Sequence, residues 1–258
     1  MDMDRLLRAT VQFKASDLHV QVGSPPTVRV EGTLVGINAP PVTAEQITAL
    51  VAEVADAPLR ARLEAERSCD FSHHIPDVAR FRINVFHERG QPCIVARTIP
   101  LRIKSFEDLG LPPVLRDIAE EERGLVLVTG PTGSGKSTTL AAMLDKINAE
   151  RHEHILTIED PIEYIHQHKN CLVNQREVHG DTESFSNALR AALREDPDIV
   201  LIGEMRDLET VEAALKIAET GHLTFGTLHT NSAAQTINRI IDIFPDRKST
   251  RLNSSHCT

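Results

Sequence analysis

The chain has 258 residues, 41% apolar and 25% charged, and its 28 Lys and Arg against 37 Asp and Glu give a formal net charge of −9. This composition excludes a mainly disordered chain, and the length predicts one large or two small domains. No apolar stretch approaches the roughly 20 residues of a membrane span, and the amino terminus has no signal-peptide pattern, so we expect a cytoplasmic protein without a membrane span. The acidic balance, the single tyrosine and the lack of tryptophan argue against a nucleic-acid partner.

The cysteines give no sign of a cross-linked or metal-bound framework. Cys69, Cys93, Cys171 and Cys257 share no CxxC spacing. Neither a disulfide framework nor a four-cysteine zinc site is therefore predicted. We expect these side chains to behave as small buried apolar groups.

The first hundred residues predict a small α+β domain. Thr43–Gln46 fits a capping box, and apolar residues follow over 47–54 at the spacing of an amphipathic helix. Apolar and polar residues alternate over 80–85, which predicts a strand with its arginines on one face, and Cys93–Ile99 predicts a second strand.

A Pro-rich and acidic stretch at 101–123 is interpreted as a linker with a short helix at Val114–Ala119. The hydrophobic pattern changes after this stretch. Short apolar strands then alternate with amphipathic helical patterns at 185–193 and 211–218, which is typical of a mostly parallel sheet. The four predicted strands are Leu125–Thr129, Ile155–Glu159, Ile199–Gly203 and Thr224–Thr227. An α/β domain over 124–248 follows.

The last ten residues, 249–258, have no apolar periodicity and follow a helical pattern abruptly. We interpret them as a non-native tail, with a natural polar tail as the alternative.

Gly130–Ser137 reads GPTGSGKS, which matches the phosphate-binding P-loop pattern between a predicted strand and a predicted helix. The glycines allow backbone N–H groups to turn towards phosphates, Lys136 reaches the β and γ oxygens, and the Ser137 hydroxyl joins a Mg²⁺ shell. The sequence therefore predicts ATP and Mg²⁺ as ligands. The predicted nucleotide-binding residues of this segment are Gly130, Thr132, Gly133, Ser134, Gly135, Lys136, Ser137 and Thr138.

Carboxylates follow two of the predicted strands. Glu204 ends the run Ile199–Glu204, at the edge of a parallel sheet where nucleotides bind, and there it could activate the attacking water. Glu159 and Glu163 flank a second acidic loop and could bind the water shell of the metal or polarise the nucleophile. Spacing alone leaves a solvated acidic loop as an equal alternative for Glu159 and Glu163.

Two histidines, His222 and His229, bracket the last predicted strand. Their odd separation places them on opposite faces of an extended chain, which disfavours one shared metal ion. Either histidine could sense a γ-phosphate or a neighbouring subunit, and a structural role is the alternative.

Together, and in this order, these motifs resemble the secretion-ATPase superfamily, most closely the PilT family of type IV pilus retraction ATPases. The resemblance covers nearly all of residues 1–248. It is carried by Ser16–His19, Arg29–Gly32, Arg80–Asn84, Arg97–Pro100, GPTGSGKSTT, ILTIEDPIEY, LREDPDIVLIGEMRDLET and AETGHLTFGTLHTNSA.

The resemblance implies a PAS-like amino-terminal domain and a RecA-like P-loop ATPase domain that together form a homo-hexameric ring. It assigns Glu204 as the catalytic acid, Glu163 to an acidic box, and both histidines to the region of the phosphates. Arg82 and Arg97 are the expected nucleotide contacts of the first domain, with Arg80 in reserve. ATP hydrolysis would then move the domains, act on an inner-membrane platform protein and retract a pilus.

Two departures from the family pattern keep other functions open. Pilus-assembly and type II secretion relatives usually carry a paired CxxC element that this chain lacks, which favours retraction over those alternatives. The PilT family also continues beyond the helix around Ile241, so we expect this chain to be truncated at its carboxyl end. A non-catalytic nucleotide-binding ring subunit therefore stays an alternative.

Overall fold

A computed structural model describes residues 1–99 and 102–244 of the chain. The chain divides into two compact units, Met1–Leu101 and Arg102–Thr258. The predicted tail at 249–258 lies outside the described residues, as does Cys257.

The first unit is a six-stranded antiparallel sheet with three helices. Its strands are β1 (Asp17–Gln21), β2 (Thr27–Val30), β3 (Thr33–Gly36), β4 (Ser68–Ile75), β5 (Ala79–Glu88) and β6 (Gln91–Ile99), in the order β3-β2-β1-β6-β5-β4. Its helices are α1 (Met3–Gln12), α2 (Ala44–Val54) and α3 (Ala57–Glu66).

Local signals explain most of this unit. The Thr43 capping box forms as predicted, and α2 buries Ile47 and Leu50 against the sheet. On β5 the apolar side chains at 81, 83 and 85 are fully buried, as the alternating pattern predicts. Helix α3 was missed because it has no buried residue and therefore no apolar periodicity, although Asp56 caps it and Pro58 lies in its first turn.

The second unit is built around a parallel sheet. Its strands are β7 (Gly124–Thr129), β8 (His154–Glu159), β9 (Leu172–Glu177), β10 (Ile199–Ile202) and β11 (Leu223–Leu228). Its helices are α4 (Phe106–Leu109), α5 (Val114–Glu120), α6 (Lys136–Glu150), α7 (Phe185–Ala192), α8 (Leu208–Glu219) and α9 (Ala233–Ile243).

All four strand pairings of this sheet are parallel, and the order is β7-β11-β10-β8-β9. The four predicted strands are confirmed, each end within one residue. Strand β9 was missed because an edge strand with sequence LVNQRE offers only two adjacent apolar residues.

The stretch expected as a linker packs with the second unit. Phe106 and Ala119 are 6% and 2% exposed, and both belong to the core formed around Leu144 and Phe225. The predicted short helix is present as α5. Prolines and charged residues interrupt the apolar residues of this stretch, so the sequence shows no clear amphipathic pattern. These apolar residues nevertheless pack against α6.

Cys69, Cys93 and Cys171 are buried, as predicted, and carry free thiols. Among the described residues, no helix combines the length and the apolar character that crossing a membrane requires. On α9, Ile240 packs against the core beside β10, whereas the side chain of Ile237 is 60% exposed.

Candidate nucleotide-binding site

The predicted P-loop connects β7 to α6 and owes its shape to its glycines. Gly130 has a φ of 152°, and a Cβ there would lie 2.6 Å from the Ser134 hydroxyl oxygen. Gly133 and Gly135 have φ angles of 79° and 92°, which side chains rarely allow. These positions therefore let the backbone curl back over the start of α6.

The loop leaves hydrogen-bond donors available for an anion. Gly135 is the N-cap of the 15-residue helix α6 and provides no side-chain hydrogen bond, so no capping side chain occupies the first N–H groups of the helix. The Lys136 ammonium donates to the carbonyls of Gly130 at 3.0 Å and Pro131 at 3.2 Å, which holds it over the loop. A helix start with a lysine above it fits a phosphate group.

The parallel sheet brings the other predicted groups to the same edge. His229 follows β11, Glu204 lies just beyond β10, and Glu159 ends β8, all at the carboxyl ends of neighbouring strands. Gly203 permits this close approach, because a Cβ there would lie 3.1 Å from the Glu159 Cα and 3.2 Å from the Ile158 carbonyl oxygen. Open α/β folds bind ligands at this edge.

Glu204 is held between two basic side chains. The Arg206 guanidinium lies 2.6 Å from one carboxylate oxygen, and the His229 Nε2 lies 3.2 Å from the other. Its hydrogen bond to Arg206 is the main reason why the pKa of Glu204 is lowered. A side chain that is 21% exposed thus stays charged while facing the site. The contact of Arg206 was missed because an arginine two residues beyond the strand has no distinctive spacing.

Glu159 has the opposite electrostatic setting. Burial raises its pKa from 4.5 to about 7, although its carboxylate accepts hydrogen bonds from the Thr157 hydroxyl at 2.7 Å and the Gln175 amide at 3.3 Å. The Glu163 N–H also points at this carboxylate, at 3.4 Å, and the Glu163 side chain itself is exposed. The two acids predicted from the acidic loop therefore differ: Glu159 is half-buried among hydrogen-bond donors and Glu163 is exposed.

The residues present fit a metal that arrives with the nucleotide. No cluster of three or more His, Cys, Asp or Glu side chains could hold a metal ion within residues 1–99 and 102–244. Ser137 lies in the first turn of α6, and a small cavity of about 30 Å³ lies between it, Glu159 and Thr227. Mg²⁺ usually takes one or two protein ligands and fills its shell with phosphates and water, which suits this donor set.

Tyr164 and His166 border the same cavity and were not predicted as site residues. The Tyr164 hydroxyl lies 3.0 Å from the Thr138 hydroxyl, so the acidic loop contacts the start of α6 directly. His166 is buried, which lowers its pKa to about 4. Aromatic and histidine side chains in an irregular loop carry no spacing signal, so their places depend on the tertiary fold.

His222 lies away from the P-loop of this chain, so its contact with nucleotide phosphates stays a prediction. His222 precedes β11 and lies at the opposite edge of the sheet, where its Nδ1 is 2.9 Å from the Ile217 carbonyl oxygen and its own carbonyl accepts from the Gly124 N–H. Seven residues of extended chain separate the histidines by about 20 Å. The expectation that they do not share a metal ion agrees with this separation.

Arg82 and Arg97 lie in the first unit, on one face of its sheet. They are directly opposite each other on β5 and β6, and Arg80 shares their face. Arg82 donates to Asp70 and Arg97 donates to Asp17, each through Nε at 2.9 Å.

Asp17 was missed as a partner of these arginines. It is 5% exposed and also lies 3.8 Å from the Arg29 Nε. Burial would raise the pKa of Asp17, but its bonds to the Ser16 hydroxyl and the Arg97 guanidinium hold that pKa below the usual value. The contact of Arg82 and Arg97 with nucleotide stays a prediction.

Comparison with known proteins agrees with this geometry. Residues 2–255 match the family described as Type II/IV secretion system protein. The type IV pilus retraction ATPase PilT of Pseudomonas aeruginosa is 54% identical over 254 residues, which are 98% of this chain and 74% of that protein. The chain belongs to the PilT family of secretion ATPases.

Two further relatives support this membership. A twitching motility protein of Neisseria gonorrhoeae is 54% identical over 220 residues, which are 85% of this chain and 59% of that protein. A crystal structure of the pilus retraction motor PilT with bound ADP is 51% identical and superposes with a TM-score of 0.92, covering 95% of this chain and 72% of that one. Both units of the fold are therefore those of a PilT-family secretion ATPase.

Proposed function

We propose that this chain is the ATP-hydrolysing part of a type IV pilus retraction motor. The observation that carries the proposal is the convergence of the P-loop, Glu204 and His229 at one edge of a parallel sheet. Relatives named as a pilus retraction ATPase and as a twitching motility protein support the same assignment.

The residues of the site have separate roles in binding the phosphates, holding the metal and activating the attacking water. The N–H groups of the P-loop and the Lys136 ammonium bind the phosphates, and the Ser137 hydroxyl would hold Mg²⁺. When bound, Mg²⁺ neutralises charge on the phosphate oxygens. Glu204 stays ionised and acts as the base that orients the attacking water, and His229 fixes its carboxylate.

The mechanical part of the proposal follows from the two units. Arg82 and Arg97 of the first unit contact nucleotide phosphates within a homo-hexameric ring, and Glu163 approaches the metal or its water when nucleotide binds. Turnover then changes the angle between the units. The ring acts in the cytoplasm on a platform protein of the inner membrane, which draws pilin out of the filament.

The test is steady-state ATPase activity with Mg²⁺, with Glu204→Gln as the variant and light scattering on the same samples. Loss of the base should lower turnover at least about 100-fold while ADP binding stays close to that of the parent chain. Glu212→Gln makes the same charge change on an exposed position of α8 and should leave turnover unchanged. Equal turnover in the parent chain and Glu204→Gln would contradict the assignment.

A further inference from the structure

The side-chain amide of Gln175 lies where β8, β9 and the acidic loop at 160–171 meet. Gln175 is opposite Thr157 in the parallel register, so its side chain reaches the end of β8. Its Nε2 donates to the Tyr164 carbonyl at 2.8 Å and to the Glu159 carboxylate at 3.3 Å, and its Oε1 accepts from the His166 N–H at 2.8 Å. Both amide N–H groups and the amide oxygen thus have partners.

These contacts fix the part of the loop that follows Glu163. The loop contains no helix or strand, so its shape depends on such side-chain bonds. Gln175 binds the backbone one and three residues beyond Glu163. The Glu163 N–H bonds to the Glu159 carboxylate at 3.4 Å, whereas both bonds of Gln175 to the loop backbone are 2.8 Å long. The Glu159 carboxylate itself also accepts from the Thr157 hydroxyl at 2.7 Å.

A second amide fixes the far end of the same loop. Asn148 is fully buried on α6, donates to the Gln167 carbonyl at 2.6 Å and accepts from the Lys169 N–H at 3.1 Å. Asn148 therefore holds the loop backbone four and six residues beyond Glu163, and the hydrogen bonds of the Glu159 carboxylate come from Thr157, Glu163 and Gln175. Gln175 therefore differs from Asn148, because it bonds to the loop and to a carboxylate of the site at once.

We propose that Gln175 is a positioning residue for ATP hydrolysis, which sets the places of Glu159 and Glu163 without touching the nucleotide. The inference rests on the proposed function, since it concerns the same site. The neutral amide of Gln175 holds the loop and the Glu159 carboxylate in fixed positions. Misplacement of a catalytic group by about 1 Å costs on the order of 100-fold in rate. The phosphates bind at the P-loop, whereas the bonds of Gln175 go to the loop at 160–171 and to Glu159.

The test replaces Gln175 by methionine, which keeps the length of the side chain and removes its hydrogen bonds. We expect kcat to fall by about 10- to 100-fold, with the KM for ATP and the stoichiometry of ADP binding within about twofold of the parent chain. Gln167→Met is the matched control, because the Gln167 side chain is exposed on the same loop. It should leave both constants unchanged.

Hydrogen exchange of the backbone provides a readout that does not depend on activity. Loss of the Gln175 amide should speed exchange at the His166 N–H and its neighbours in 160–171 and leave exchange in β7 unchanged.

Three results would overturn the proposal. They are a kcat of Gln175→Met within twofold of the parent value, a fall in kcat matched by an equal fall in ADP stoichiometry, and unchanged exchange in 160–171. A parent chain with no turnover above Glu204→Gln would instead contradict the proposed function, and the exchange measurement would then decide the role of Gln175 alone.

Discussion

At the scale of single residues, the two acids beside the P-loop are distinguished by their surroundings. Glu204 has Arg206 and His229 beside it, whereas Glu159 is half-buried among neutral hydrogen-bond donors. The same chemical group therefore has a lowered pKa in one place and a raised pKa in the other. Sequence spacing identified both carboxylates and could not distinguish these states.

The raised pKa of Glu159 makes stability depend on pH. Because its pKa is about 7 in the folded chain and 4.5 in the unfolded reference, the folded state binds its proton more tightly. The stabilisation of the folded chain by the protonated Glu159 carboxyl is complete below pH 4.5 and is lost as pH rises through about 7. The free energy of unfolding should therefore fall by about 3 kcal/mol across this pH range. Chemical denaturation at several pH values, without nucleotide or Mg²⁺, measures this fall.

Glu159→Gln is the control for that measurement, since it keeps the shape of the side chain and does not titrate. The difference in unfolding free energy between the two proteins should grow from pH 4.5 to pH 7, in favour of the variant. Parallel pH profiles would show that the carboxyl keeps an ordinary pKa.

At the scale of elements, the contact between β8 and β10 depends on the absence of a side chain at Gly203. The Gly203 N–H donates to the Ile158 carbonyl at 2.8 Å, and both atoms that limit an added Cβ belong to the backbone of β8. Neither can move without displacing the strand that ends at Glu159.

Gly203→Ala should therefore lower the free energy of unfolding by about 1–3 kcal/mol. It should also lower kcat, because β8 carries Glu159. Gly36→Ala is a suitable comparison, since its Cβ would meet Pro25 at 3.8 Å, an ordinary contact. Denaturant titrations of both variants test this prediction. Equal stability of Gly203→Ala and Gly36→Ala would mean that β8 and β10 accommodate the added methyl group without cost.

The elements also show what sequence patterns can reveal. Strand β10, which ends before Glu204, is buried on both faces, so it appears in the sequence as a continuous apolar run. The edge strand β9 carries Gln175 among polar neighbours, and the residues that contact Gln175 lie in a loop without periodicity. The P-loop and the order of strands were therefore predictable, whereas the supporting amides required the tertiary structure.

At the scale of the whole molecule, the stretch after residue 101 belongs to the second unit. Phe106 is buried against α6 residues, although prolines and charges around it suggested a linker. The core contacts of Phe106 agree with a second unit that begins at Arg102, about twenty residues before the strand that leads to the P-loop.

Phe106→Ala should therefore destabilise the second unit alone, by about 3–5 kcal/mol. Hydrogen exchange should become faster in β7 to β11 and stay unchanged in β1 to β6. Phe81→Ala, which opens the core of the first unit, should give the reverse pattern, and Val114→Ala, at a position that is 55% exposed, should change neither. Equal effects of Phe106→Ala on both units would contradict this boundary.

The hydroxyl pair of Tyr164 and Thr138 also gives the chain an unusual optical property. The chain has one tyrosine and no tryptophan, so its tyrosine emission comes from a single ring, and the hydroxyl of that ring contacts the start of the phosphate-binding helix. The intensity of phenol emission changes when the hydrogen-bond partner of the hydroxyl changes. The unlabelled protein therefore contains its own fluorophore at the point where the acidic loop meets the P-loop helix.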